Sequence, residues 1–326
     1  MAVLSGNHQQ ITDYLTRIGI PVPFPMKYVY CYIFRTREEI ILIDVGFPTK
    51  DAKQYWEEVF EELSVNPTDI SKIILTHFHP DHSGLISWMQ QKTGAHVYMS
   101  KEEAKMIKTV FGGSTKQAEA TYELFQKHAV PEPLLTKVKE NVLFLSNKVN
   151  PLPEINNFNE SQLDSPDGRW VVHKYSGHAE GHLCFYHESQ KIMLIGDVVL
   201  SRITPNISLW PNSDQNPLAS YFSTLHCLVD QDISIAYPAH GTPIENLAQR
   251  AKEIIVHHKE RLATILTILE TNQVAFEITE KLFHHKKLTD HQWRFAIAET
   301  LAHLEYLVES ERIHKISTNG TFQYKL

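Results

Sequence analysis

Short runs of consecutive apolar residues, each closed by a polar or glycine-containing turn, dominate the first hundred positions. Residues 28–34 (Tyr-Val-Tyr-Cys-Tyr-Ile-Phe) and 40–44 read as strands joined by the polar turn 35–39. Residues 51–63 place apolar side chains at helical spacing and predict an amphipathic helix, which Pro67 ends. A short buried strand follows at 72–76, a helix at 84–93 and another strand at 96–99. Strand and helix alternate, so the pattern predicts a layered α/β domain.

The pattern loosens after residue 101. Residues 102–128 are helical in character but interrupted at Gly112-Gly113-Ser114, and 130–168 are rich in proline, asparagine and acidic residues and read as irregular. Residues 101–168 are therefore expected to be a helical insertion and loop able to act as a lid over a site. Strands return at 170–175, 183–187 and 191–195, then a helix at 217–229, a strand at 233–237 and a long helix at 246–271. Beyond 273 come helices at 277–283 and 289–309 and a hairpin of 312–317 with 321–325 around Asn319-Gly320. Helix, helix, helix and two-stranded wing is a winged-helix order. The division expected is a catalytic domain over 1–250 and a linker helix with a small winged-helix domain over 251–326.

Composition narrows the function classes. The chain has 326 residues, 42% of them hydrophobic, enough for a large core, and a net charge of −7. An acidic balance argues against a protein that grips nucleic acid over a broad basic face. No basic segment followed by an apolar one marks the first residues as a signal peptide, and no apolar run approaches the roughly 20 residues that span a bilayer. Cys31, Cys184 and Cys227 are scattered and odd in number, so neither a disulfide framework nor a cysteine-based zinc knuckle is expected. A reducing cytoplasm is the compartment this implies. Histidine is the outlier, with 19 residues.

Those histidines are not spread evenly. Thr76-His77-Phe78-His79-Pro80-Asp81-His82 puts four potential ligands directly after a buried strand. His77 and His79, two apart on an extended segment, can aim at one ion. Asp81 and His82, around the following turn, can address a second. Imidazole and carboxylate suit zinc and other first-row divalent metals.

This His-x-His-x-Asp-His segment resembles the hallmark motif of the metallo-β-lactamase superfamily. Further segments match in order, each after a strand: Asp44-Val45-Gly46, Ser176-Gly177-His178-Ala179-Glu180-Gly181-His182, Gly196-Asp197, and Tyr237-Pro238-Ala239-His240-Gly241 with alanine where the family usually has glycine. The resemblance covers roughly residues 20–260. It implies a four-layer αββα sandwich with a small C-terminal winged-helix domain. It also implies two divalent metal ions, zinc first with iron or manganese as alternatives. His77, His79 and His178 would hold one, Asp81, His82 and His240 the other, and Asp197 both. A hydroxide between the metals would attack the substrate, and Asp81 would be the catalytic residue that shuttles a proton. His182 and Asp44 are expected to support ligands without being ligands. Arg202, Trp210 and Asn212 follow Asp197 in a loop that could line the pocket.

The resemblance also narrows the reaction. Exported antibiotic-degrading lactamases of the best-known type carry a cysteine where Asp197 stands here. The stretch from Asp197 to His240 is too short for the nuclease branch with an inserted second domain. What remains is hydrolysis of an ester, thioester or lactone, with a small-molecule acyl substrate, or cleavage of single-stranded RNA as the alternative. From Thr271 onward acids and bases balance, and the helix at 289–309 sets Arg294 against Asp290, Glu299, Glu305 and Glu309. That is a poor groove binder. The C-terminal unit is read as a packing element, at a homodimer interface or as a pocket wall, and neither nucleic acid nor a membrane is expected as a partner.

Overall fold

A computed structural model describes residues 7–113 and 115–326. The chain opens with β1 (His8–Thr12), β2 (Leu15–Pro21), β3 (Tyr28–Arg35) and β4 (Ile40–Ile43), an antiparallel meander. Parallel additions follow: α1 (Lys50–Glu62), β5 (Ile70–Ile74), α2 (Pro80–Ser83), α3 (Ile86–Thr93) and β6 (His96–Met99). Next come α4 (Lys101–Phe111), α5 (Lys116–Gln126), α6 (Glu132–Val149) and β7 (Ile155–Asn157), which completes a seven-stranded sheet in sequence order. The second sheet is built from β8 (Gln162–Ser165), β9 (Gly168–Tyr175), β10 (His182–His187), β11 (Ile192–Gly196) and, after α7 (Pro217–Val229), β12 (Ile235–Pro238). The chain ends with α8 (Leu247–Ile268), α9 (Ala275–Phe283), α10 (Asp290–Glu309) and the hairpin β13 (His314–Thr318) with β14 (Thr321–Lys325).

Side-chain alternation along the strands shows why these pieces stack in four layers. In β4, Ile41 and Ile43 face a core shared with the other sheet, while Leu42 faces the opposite way. In β11, Ile192 and Leu194 enter the shared core, and Met193 and Ile195 point outward. Strands buried on both faces need apolar residues at every position, which is why they read as unbroken apolar runs. The shared core is the contact between sheets, with Tyr32 and Phe34 meeting Trp170 and Phe185. Outside the first sheet, Ile18, Leu42 and Ile73 pack on Trp56, Met89 and Ile107 of α1, α3 and α4. Outside the second, Cys184, Met193 and Ala236 pack on α7 and α8 and, through them, on α9 and α10. The order is helices, sheet, sheet, helices, as expected.

Local signals place the helices. Thr49 caps α1 by accepting from the Ala52 N–H, and Trp56 Nε1 donates to the Val45 carbonyl, tying the helix to the turn after β4. Thr289 and Gln292 form a capping box at the start of α10.

The stretch 130–168 is not irregular. Pro131 and Pro133 stand at the start of α6, where proline costs nothing, and Leu135, Val138, Val142 and Val149 bury one helical stripe. β7 and β8 then extend the two sheets. The β1–β2 hairpin was also not foreseen. The break at Gly112-Gly113 does separate α4 from α5, while Ser114 and the first residues of the N-terminal segment, 1–6, lie outside the described residues. α8 runs unbroken through residue 250, where the sequence reading divided the domains. Among the described residues no helix is long and apolar enough to cross a membrane.

A buried histidine pair sits where α8 meets α10. His303 Nδ1 donates to the Glu299 carbonyl, so its Nε2 accepts from His258 Nδ1 at 3.0 Å, and both rings are neutral. Burial, then each neighbour's charge, pushes His258 down to about 2; burial pushes His303 down to about 4. Both folded values lie below the unfolded one, so these groups leave stability intact above about pH 6.5. Stability is lost as pH falls below that, because only the unfolded chain takes up the protons. In equilibrium unfolding between pH 6.5 and 4.5, His258→Leu should flatten the stability profile by up to about 1.4 kcal/mol per pH unit. An unchanged slope would contradict this assignment.

Candidate metal centre

The seven residues singled out in the sequence meet at one end of the sandwich. Each stands just after a strand, where the backbone leaves the sheet: Asp81 and His82 on α2 after β5, His77 and His79 between them, His178 after β9, Asp197 after β11 and His240 after β12. They form two groups whose nitrogen and oxygen atoms lie within 4.8 Å of one another: His77, His79 and His178, and Asp81, His82, Asp197 and His240. Asp197 lies between the groups. Its Oδ2 is 3.5 Å from His82 Nε2, 3.6 Å from His178 Nε2 and 3.7 Å from His240 Nε2.

Outer hydrogen bonds fix which ring nitrogen is free. His178 Nδ1 donates to the Asn206 carbonyl and His240 Nδ1 to the Tyr28 carbonyl. His82 Nδ1 donates to Asp44 Oδ2 at 2.8 Å. The Thr76 hydroxyl donates to Asp44 Oδ2, so it accepts from His77 Nδ1. In His77 and His178, Nε2 is thereby left as a lone pair aimed inward, and in His82 and His240 it is the inward atom, facing the carboxylates of Asp197 and Asp81.

That arrangement fits a pair of divalent ions. His79 Nδ1 lies 2.9 Å from both His77 Nε2 and His178 Nε2, so lone pairs converge with at most one proton to share. His82 Nε2 and Asp197 Oδ1 are buried with no hydrogen-bond partner. Ligand-to-ligand separations of 2.9 to 3.7 Å bracket the roughly 3.3 Å edge of a tetrahedron with arms near 2.0 Å. Electrostatics divides the two groups. Burial and the neighbouring rings hold His77 and His79 well below the usual imidazole range. Burial opposes charge on His82 and His240 too, but the carboxylates of Asp44, Asp81 and Asp197 outweigh it and raise both. A field that holds a proton there also favours a metal cation.

Asp44 organises the centre without entering it. It accepts from the Thr76 N–H and hydroxyl and from His82, and it holds a positive φ of 59° in the turn after β4. His182 stacks on His77, with ring centroids 4.6 Å apart, and its Nε2 accepts from the Asp197 N–H. Gly196 makes this possible, because a Cβ there would sit 2.3 Å from the His182 ring.

Two supports escaped the sequence reading. Buried Glu103, on α4, accepts from the Phe78 N–H with one oxygen and from the Gly181 N–H with the other, bracing the two histidine loops against each other. Burial raises it to about 7 despite those bonds. Buried Arg17, on β2, donates to the Pro238 and Gly241 carbonyls on either side of His240 and lies 3.3 Å over the Tyr30 ring. Neither lies in a motif. An isolated arginine inside an apolar strand was the one signal available for the second.

A cavity of about 930 Å³ opens onto the centre, lined by Asp81, His79, His178, Asp197 and His240 at its floor. Its walls are apolar and come from far apart in sequence: Phe24 and Phe47, Met106 and Phe111 of α4, Phe144 and Leu145 of α6, Trp210, and Phe295 of α10. The C-terminal unit is thus a pocket wall, one of the two placements foreseen for it. Of the three loop residues considered, Trp210 lines the cavity, whereas Arg202 and Asn212 do not and are exposed.

The sequence profile of the metallo-beta-lactamase superfamily matches residues 25–240, and that of the metallo-beta-lactamase-like C-terminal domain matches residues 262–326. The chain belongs to the metallo-β-lactamase superfamily. It is similar to the probable metallo-hydrolase YqjP of Bacillus subtilis (strain 168), at 27% identity over 96% of this chain and 98% of that protein. A crystal structure of a metallo-beta-lactamase family protein from Thermus thermophilus shares 31% identity with a TM-score of 0.81, over 97% of this chain and 99% of that one. An atrochrysone carboxyl ACP thioesterase of Aspergillus fumigatus is 23% identical over 78% of this chain and 64% of its own length.

Two substitutions test the supports. Asp44→Ala removes the acceptor that orients His82 and Thr76, and divalent-metal affinity, measured by competition with a chelator, should drop about 10–100-fold. Glu103→Gln turns an amide NH₂ toward a backbone N–H, and chemical unfolding of the metal-free protein at pH 8 should show about 1–3 kcal/mol lower stability. Wild-type values would contradict the roles given to them.

Proposed function

We propose that this chain hydrolyses an ester, thioester or lactone whose acyl portion is largely apolar. His77, His79 and His178 would hold one divalent ion, Asp81, His82 and His240 a second, and Asp197 would serve both, with zinc the metal that best suits this ligand set. When bound, the ions polarise the substrate carbonyl and bring the pKa of a water near neutrality. The observation that carries the reading is the cavity: an apolar chamber of about 930 Å³ whose polar floor is the ligand cluster. Such a chamber desolvates a small acyl group and leaves its carbonyl at the floor.

The chain's own groups supply the rest. Asp81 faces the cavity with its side chain 16% exposed, and its Oδ2 lies 3.1 Å from His240 Nε2. Burial alone would raise its carboxyl, but the His82 and His240 charges keep it below the usual range. It is therefore ionised and placed to take up a proton from water and return it to the leaving atom. Phe78, Phe111 and Trp210 exclude water from the acyl group. The relative named as an acyl-carrier-protein thioesterase supports acyl transfer to water as the reaction type.

Cleavage of single-stranded RNA by the same floor lacks a track to follow. The cations on the cavity lining are Lys50, Lys148 and Arg294, set among aromatic and aliphatic walls. With a panel of aryl esters, thioesters, lactones and single-stranded RNA, acyl substrates should turn over and His77→Ala should abolish that turnover. Acyl turnover should change little between low and physiological salt. Tight RNA binding that falls with a log–log salt slope of roughly −0.7 per phosphate, with cleavage lost in His77→Ala, would replace the acyl reading with the RNA one.

A further inference from the structure

Arg294 is at odds with the chamber it lines. It stands on α10, on a wall otherwise made of Phe295, Trp210 and half-buried His291. Its guanidinium carbon lies 4.6 Å from the Phe295 ring centroid and 5.5 Å from that of Trp210. Its Nε is fully enclosed without a hydrogen-bond partner, and no ion pair reaches the guanidinium among the described residues. The carboxylates on the cavity lining are Asp81 and Asp197, both committed to the floor. His291, its neighbour on the helix, is kept neutral by burial and by Arg294 itself, and hydrogen-bonds to Asn141 of α6 instead. Burial lowers Arg294 to about 10, so it stays charged at neutral pH. Arg294 is half-buried, its terminal nitrogens are not enclosed as Nε is, and no protein group among the described residues pairs with them, so the planar fork is free to take a carboxylate or phosphate.

We propose that Arg294 binds an anionic oxygen group at the end of the substrate remote from the scissile carbonyl. The substrate class is then an ω-anionic acyl compound. Its carbonyl lies on the floor of the cavity, its apolar segment against Phe111 and Trp210, and its anion on α10. This rests on the acyl-hydrolase reading and adds a specificity determinant contributed by the C-terminal unit. Cation–π contact with the two rings holds the guanidinium at the wall while leaving its terminal N–H groups for the ligand.

The test uses p-nitrophenyl monoesters of linear dicarboxylic acids from six carbons upward, their neutral methyl-ester counterparts of equal length, and ω-phosphate analogues. Wild type should prefer an anionic series, and which of the two it prefers separates a carboxylate source from a phosphate one. In Arg294→Met the ratio of kcat/KM for the anionic over the neutral substrate should fall about tenfold or more, mainly through KM. Arg294→Lys, with charge but no fork, should fall between. Calorimetric titration of the metal-free protein with the free dicarboxylate should show binding that Arg294→Met weakens to the same degree. Equal losses on both series, or no loss, with binding insensitive to residue 294, would overturn the proposal while leaving ester hydrolysis standing. Anion binding that depends on Arg294 in a protein that turns over no ester would leave the anion site on α10 standing but overturn its assignment to an acyl substrate, together with the hydrolase reading.

Discussion

Five imidazoles and two carboxylates converge in a buried space where the inward atoms of each group lie within 4.8 Å of one another, some as close as 2.9 Å, and much of the fold exists to hold them there. Such a cluster is unfavourable by itself, because lone pairs face lone pairs and desolvated carboxylates face each other. Its position is over-determined from outside. Asp44, Thr76, His182, Asn206 and Tyr28 each fix one ligand or one ligand-bearing turn through a hydrogen bond. The two sheets matter for the same reason. One carries His77, His79, Asp81 and His82, the other His178, Asp197 and His240, and the Leu183 N–H donating to the Thr76 carbonyl stitches the two together at the site.

The two ends of the chain act on that centre from opposite sides. At the start, Arg17 reaches across the sandwich to grip the His240 turn. At the end, α10 closes the chamber over the floor, so the C-terminal unit shapes what can bind without supplying a metal ligand. Met26, Phe144 and Ile203 remain exposed at the cavity, a chamber whose apolar lining continues to the surface.

Legibility in the sequence followed contiguity. The segment from Thr76 to His82 could be read because four donors share one turn, and the later segments because each follows an apolar run that ends at a polar residue. Strands buried on both faces were found for the same reason. The β1–β2 hairpin was missed because its inner face mixes Leu15 with buried Arg17, which hides the apolar run. α6 was misread because Pro131 and Pro133 look like loop residues until their place in the first helical turn is known. Glu103 and Arg17 act across long stretches of chain, between elements whose adjacency only the fold creates, so no motif marks them.

Occupancy by two cations would reconcile this cluster. Anomalous X-ray diffraction at the absorption edge of the bound metal, from crystals of metal-loaded protein, addresses it most directly. Two peaks roughly 3.5–4 Å apart are expected, one enclosed by His77, His79 and His178, the other by Asp81, His82 and His240, with Asp197 against both. A map with no peak among these residues, or a single peak with Asp197 turned away from it, would mean that the cluster does not hold a metal pair.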